Sequence, residues 1–270
     1  MDTASSLQQD LVRAGIRRDD TLLVHSSMKS IGPVAGGAET VLDALCGYLE
    51  PGGLLIFPTL TYTLGHHFDP ASEFCRKCRF LTACPVRDWN DESTPRVFSV
   101  RDSLPCTGIL PTLFLRRPGV FRSRHPTHSV AARGAGAETF VQGHERCDSG
   151  CSRFSPWHRL LERRGRLLLI GVGLESCTFL HGAVEWSREQ REPYSPYTFQ
   201  VSDGGNSIAM PRQHRCAGYS GAFPKIEAAL RAREALSECR FGEARALLLD
   251  TIPAMPVIAE ELRRNPDLLG

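Results

Sequence analysis

The chain has 270 residues, 41% of them hydrophobic, with 32 basic against 30 acidic side chains. That length buries a large core as one big domain or two small ones, and the near-balanced charge argues against life on nucleic acid or an anionic membrane. No apolar run reaches the ~18 residues of a membrane span, and no charged-then-apolar leader opens the sequence. The expectation is a cytoplasmic protein with a small-molecule partner and with neither nucleic acid nor membrane as a target; its ten cysteines stay as thiols or metal ligands.

In chain order, Ser5 or Ser6 can cap a first helix carrying Leu7, Leu11 and Val12, with Gly15 near its end. A strand, Thr21 to His25, runs into SSMKSIGPVAGGAET, and Val41, Leu42, Leu45 and Leu49 then give helical periodicity up to Pro51. The loop between them gathers Ser26, Ser27, Ser30, Gly32, Gly36 and Gly37 at a helix N-terminus, where hydroxyls, open backbone N–H groups and the dipole favour an anion. It has neither the Gly-Lys-Ser/Thr ending of a nucleotide P-loop nor G-x-G-x-x-G. Leu54 to Pro58 is a third strand, ending at Thr59.

Residues 61 to 106 read as an irregular insertion containing His66, His67, Cys75, Cys78, Cys84 and Cys106. Ile109 to Leu115 is a short predicted helix. VFRSRHPTHSVAARG then sets Arg122, Ser123, Arg124, His125 and His128 ahead of a small-residue strand, where basic groups could meet phosphate. A short helix from about Ala135 leads to His144 and to CDSGC (147 to 151), and a further helix has Ser155 as cap and Pro156 at its first position.

The centre of the sequence is LLLIGVGLESCTFLHGAVEW (167 to 186), a buried strand that breaks at glycines and restarts as a helix near Ser176 or Thr178. At helical pitch His181 and Glu185 share one face, behind a strand end where α/β sheets place ligands. That spacing suits a base and the carboxylate that orients it. Strands at 197 to 201 and 206 to 210, and helices at 223 to 237 and 243 to 249, complete the prediction. The fold class is α/β: one layered helix-sheet-helix domain over 1 to 270 with a mixed sheet.

Five separated motifs resemble the aminoglycoside 3-N-acetyltransferase family: HSSMKSIGPVAGGAETVLDAL, LLIFPT, FRSRHPTHSVAARG with His144 downstream, FSPWHRLLERRGRLLLIGVG, and CTFLHGAVEW. The resemblance implies the antibiotic N-acetyltransferase fold, acetyl-coenzyme A as donor and an amine as acceptor. By position it implies donor contacts from His25, Ser26, Ser27, Ser30, Gly32, Gly37 and Thr59, and from Arg122, Ser123, His125 and Ser129 in the second binding motif. Thr178, His181 and Glu185 match the family's catalytic elements. His181 is then the general base, Glu185 its orienter, Thr178 a helix-start donor to the oxyanion, and transfer is direct, without a covalent intermediate at Cys177.

Two features depart from the family pattern. Residues 186 to 270 carry equal numbers of acids and bases where a polycation would call for an acidic groove, and the Cys-rich insertion falls where an acceptor site could be reshaped. They keep open a less cationic biosynthetic amine as acceptor. The spacing C-x₂-C-x₅-C over Cys75, Cys78 and Cys84, with Cys147 or Cys151 as fourth ligand, suggests a structural zinc. The rival readings are a non-catalytic zinc-stapled binding protein on the same fold and a zinc hydrolase using His66, His67 or His144; the oligomeric state stays open between monomer and homodimer.

Overall fold

The computed structural model describes residues 1–61, 64, 93–188 and 191–270. Its strands are β1 (Thr21–Ser26), β2 (Leu54–Pro58), β3 (Arg96–Ser99), β4 (Phe121–Arg122), β5 (Val130–Gly134), β6 (Arg166–Ile170), β7 (Phe199–Asp203), β8 (Asn206–Ala209), β9 (Leu236–Phe241) and β10 (Ala244–Asp250). Its helices are α1 (Ala4–Arg13), α2 (Met28–Ile31), α3 (Gly37–Leu49), α4 (Ile109–Phe114), α5 (Ala137–Val141), α6 (Pro156–Glu162), α7 (Phe179–Ser187), α8 (Glu227–Ala232) and α9 (Thr251–Arg264).

Seven strands form one sheet in the order β4-β5-β2-β1-β6-β10-β9, and β3, β7 and β8 form a second, small one. In the large sheet the parallel pairs are β2-β1 and β1-β6; β5, β10, β4 and β9 pair antiparallel to their neighbours. The mixed sheet agrees with the α/β expectation. The central strands are nearly continuous apolar runs because both faces are covered. Leu23, Leu54, Ile56, Leu167 and Leu169 enter a core with α6, α7 and α9, while Leu22, Val24, Leu55, Phe57, Leu168 and Ile170 enter another with α1, α3 and α4. Among the described residues no helix is long and apolar enough to cross a membrane.

Three expectations change. Thr3, not Ser5 or Ser6, caps α1, in a reciprocal pair with Ser6. The 223 to 249 region is not two helices: after α8 the chain forms the β9-β10 hairpin, turning at Gly242 with φ +60°. The Ala246–Leu249 run has helical propensity, but β6 offers an open edge, and pairing along it buries these residues. The described part of the 61 to 106 segment is also not wholly irregular, since Arg96–Ser99 pairs in parallel with β7. Cys75, Cys78 and Cys84, like His66 and His67, lie outside the described residues.

Arg122 ties the small sheet to the large one. The residue is 8% exposed, and its guanidinium lies over the Phe98 ring and donates to the carbonyls of Thr59 (2.9 Å), Val100 (3.2 Å) and Ser103 (2.6 Å) and to Ser129 Oγ (3.2 Å). Burial draws its pKa down to about 9, so it is still a cation at neutral pH, compensated by carbonyl dipoles. Arg122→Met strands several buried acceptors at about 1–3 kcal/mol each. Urea unfolding of that variant should show a stability loss of about 3 kcal/mol or more, and a loss under ~1 kcal/mol would mean that the guanidinium braces nothing.

Candidate active site

The C-terminal ends of β1 and β6 are neighbours, and the loops leaving them are knitted together. Ser27 N–H donates to the Ile170 carbonyl (2.9 Å), and Ser30 Oγ donates to Ser27 Oγ (2.9 Å) and lies 3.4 Å from the Gly171 carbonyl. Gly171 has φ +65°, and a Cβ there would fall 2.2 Å from that of Ser30, so the close approach of the two loops requires glycine. Ser26, Ser27, Ser30, Gly32 and Gly37 are partly exposed. The loop ends at α3, whose N-cap Gly36 supplies no side-chain cap to the first-turn amides. At the same strand end His25 is 8% exposed and its Nε2 is buried without a hydrogen-bond partner among the described residues; burial holds its pKa at about 3, so the ring is neutral. An orphaned buried nitrogen beside open hydroxyls and amides fits a polar ligand such as coenzyme A.

From β6 the chain passes through a 3₁₀ turn at Leu174–Ser176 into α7, with Thr178 at the N-cap. Thr178 is buried, and its hydroxyl makes no hydrogen bond among the described residues. His181 lies one turn in, half-buried, with its ring edge-on to Phe223 at 4.8 Å. Its Nδ1 stands 2.7 Å from the carbonyl oxygen of Ala217. A carbonyl only accepts, so Nδ1 carries the proton and Nε2 holds the lone pair. Burial lowers the His181 pKa below its usual 6.5, which keeps the imidazole neutral at physiological pH.

Glu185 is not the orienter of His181. The two share a helix face, but Glu185 Oε2 accepts from Ser149 Oγ (2.5 Å) and Oε1 lies 3.4 Å from the Arg191 guanidinium, which also pairs with Asp148 at 2.6 Å. The 216–218 segment offers His181 a closer acceptor, and Ser149 with Arg191 draws the carboxylate the other way. Burial pushes the Glu185 carboxyl up, with the Ser149 bond opposing it.

The second motif also takes another role. Ser123 Oγ bonds His144 Nδ1 (2.8 Å) and accepts from Val130 N–H (2.9 Å), and His144 Nε2 donates to the Gly150 carbonyl (2.9 Å). His125 Nδ1 accepts from the Thr127 and His128 amides (3.3 and 3.1 Å), leaving Nε2–H to donate to Gln213 Oε1 (3.0 Å). Ser129 Oγ donates to the Thr59 carbonyl (2.7 Å) and lies 3.0 Å from Thr59 Oγ1. Thr59, Arg122, Ser123, His125 and Ser129 are thus buried and hydrogen-bonded to protein partners. Burial draws the His144 pKa down to about 3 and that of His125 well below 6.5, so both rings are neutral at pH 7, and both nitrogens of each are hydrogen-bonded within the protein. Arg124 pairs with Asp203 at 2.5 Å.

Among the thiols, Cys177 beside Thr178 is buried and its pKa is pushed up to about 12, which disfavours the thiolate a nucleophile needs. Cys147 Sγ faces the Gly143 carbonyl at 3.9 Å, whereas Cys151 Sγ lies 4.0 Å from Cys216 Sγ, so of these two candidate zinc ligands Cys151 alone stands in a metal-ligating cluster among the described residues. The residues that sequence reasoning missed are Ala217, Cys216, Ser149 and Gln213. The first acts through its backbone, and the others carry no local pattern.

Cavity size does not mark this site. A space of about 340 Å³ among Arg17, Asp20, Arg163 and Arg166 opens at the far end of the parallel strands, and one of about 970 Å³ among Arg122, Arg124, Arg146 and Arg159 lies beside β4. Neither is lined by His181. The strand ends, the oriented imidazole and the orphaned His25 are the stronger chemical markers.

The family model described as aminoglycoside 3-N-acetyltransferase matches residues 23–263. Aminoglycoside N(3)-acetyltransferase VII of Streptomyces paromomycinus is 36% identical over 227 residues, which cover 82% of this chain and 73% of that protein. The crystal structure of aminoglycoside acetyltransferase AAC(3)-Xa superposes with a TM-score of 0.77 at 26% identity, covering 97% of this chain and 93% of the other. A binary complex of AAC-IIIb with CoASH shares the fold at a TM-score of 0.77 and 22% identity, covering 97% and 96%. A match over nearly the whole length, with the same fold and a histidine-bearing helix after the central strand, means that the chain is an acyltransferase belonging to the aminoglycoside 3-N-acetyltransferase family.

Proposed function

We propose that this enzyme moves an acetyl group from acetyl-coenzyme A to an amine of an aminoglycoside, with His181 as general base. The observation that carries the mechanism is the His181 Nδ1 bond to the Ala217 carbonyl, which leaves Nε2 basic at the ligand end of the parallel strands. The names of the relatives support the acceptor, and the CoASH complex of a protein with this fold supports the donor.

Bound acetyl-coenzyme A supplies a thioester carbonyl as electrophile. The Ser26–Gly37 loop and the orphaned His25 nitrogen are the groups that would hold the donor. His181 Nε2 takes the proton from the attacking nitrogen as the N–C bond forms, and can return it to the sulfur released as the C–S bond breaks; assistance of this kind is worth about 10²–10⁴ in rate. Thr178, with an uncommitted hydroxyl at the start of α7, is the donor within the same turn for the developing oxyanion. Glu185, one turn on and only partly exposed, gives a cationic acceptor a carboxylate partner. Seven free cysteines among the described residues fit work in a reducing cytoplasm.

His181→Ala should lower kcat by about 10² or more while the dissociation constant for coenzyme A changes little. Turnover within about threefold of wild type would remove the base. Glu185→Gln weakens a charge-assisted contact worth about 1.5–3 kcal/mol, so KM for an aminoglycoside should rise at least about tenfold with kcat largely kept. A collapse of kcat at unchanged KM would instead place Glu185 in the chemical step.

A further inference from the structure

We propose that His128, Cys151 and Cys216 form a binding site for one zinc-class divalent cation beside the catalytic helix. Cys216 Sγ lies 3.2 Å from His128 Nε2 and 4.0 Å from Cys151 Sγ, and all three ligand atoms fall within 4.8 Å of one another. Zinc bonds of about 2.3 Å to sulfur and 2.0–2.1 Å to nitrogen place tetrahedral ligands ~3.5–3.8 Å apart, so the observed spacing brackets what one ion requires. The sulfurs are too far apart for a disulfide, whose bond is about 2.0 Å.

The three donors come from three separate segments, and each segment is pinned. Trp157 Nε1–H donates to the His128 carbonyl (3.1 Å), and Trp186 Nε1–H donates to the Cys151 carbonyl (2.8 Å). Gly150 passes so close that a Cβ there would meet the His128 ring at 2.6 Å. His128 Nδ1 lies 2.7 Å from Thr127 Oγ1, a partner of the kind that fixes the tautomer of a metal-bound imidazole and leaves Nε2 to the ion. Cys216 Sγ is 3.9 Å from Nδ1 as well, so the sulfur sits alongside the ring, and turning the imidazole about Cβ–Cγ aims Nε2 at a shared ion.

The chemistry suits burial. Two thiolates and a neutral imidazole balance a divalent cation, so loading releases two thiol protons and places a neutral unit in the interior. Three protein ligands leave the fourth position to water. The site shares only Cys151 with the ligand set read from cysteine spacing. Cys216 directly precedes Ala217, so the ion anchors the segment whose carbonyl orients His181, and it acts as a positioning element for the base.

The test is cobalt(II) titration of chelator-stripped full-length protein under a phosphine reductant, with zinc content measured in parallel. Wild type should develop an intense thiolate-to-cobalt charge-transfer band that saturates at one equivalent, and zinc should displace it. Cys151→Ser and Cys216→Ser should each abolish most of that band, whereas Cys147→Ser and Cys78→Ser should keep it. Thermal melts guard against misfolding: added zinc should raise the wild-type Tm and leave that of Cys216→Ser unchanged. A wild-type protein without the band, or a band that survives in both Cys151→Ser and Cys216→Ser, overturns the site.

Discussion

The bond from His181 to the Ala217 carbonyl decides which imidazole nitrogen is basic, and the arrangement around it follows from that choice. A backbone carbonyl cannot take up a proton near neutral pH, so it holds one tautomer without adding a second titrating group. It stabilises the imidazolium by a dipole and not a full charge, so partial burial can keep the pKa below 6.5. A carboxylate in its place would raise the pKa and leave more of the ring protonated at pH 7. Glu185 instead meets Ser149 and Arg191.

Such a carbonyl orients the imidazole only if the segment carrying it is fixed. The 213–217 segment is held through Gln213, which bonds His125 and donates to the Cys147 carbonyl at 2.8 Å. His125, His144, Ser123, Ser129, Thr59 and Arg122 extend this support inward as a buried and mutually satisfied polar network. Networks of this kind rigidify when every member is paired and are costly when one is removed.

Where local pattern and tertiary demand agree, the sequence was legible. The apolar runs at 21–25, 54–58 and 167–170 are central strands, Pro156 opens α6, and the Ser/Gly loop lies at the end of β1 as its composition required. The helix that carries His181 behind a strand end was legible too. The hydrogen-bond partner of His181 was not, because Ala217 acts through its backbone and lies 36 positions further along the chain, with no periodic signal to link the two. The β9-β10 hairpin was hidden for a related reason: Ala246–Leu249 reads as helix until β6 supplies a partner. Cys216 had no neighbouring cysteine at metal-ligand spacing, and its partners are found only in the folded chain.

The most direct test of this account is the protonation state of His181 itself. Long-range proton–nitrogen correlation spectra of protein with labelled histidine, assigned by the signal lost in His181→Gln, report which nitrogen carries hydrogen and where the ring titrates. The account expects Nδ1–H with a bare Nε2 at neutral pH and a midpoint below 6.5. A His181 that carries its proton on Nε2, or that titrates above 6.5, would contradict it.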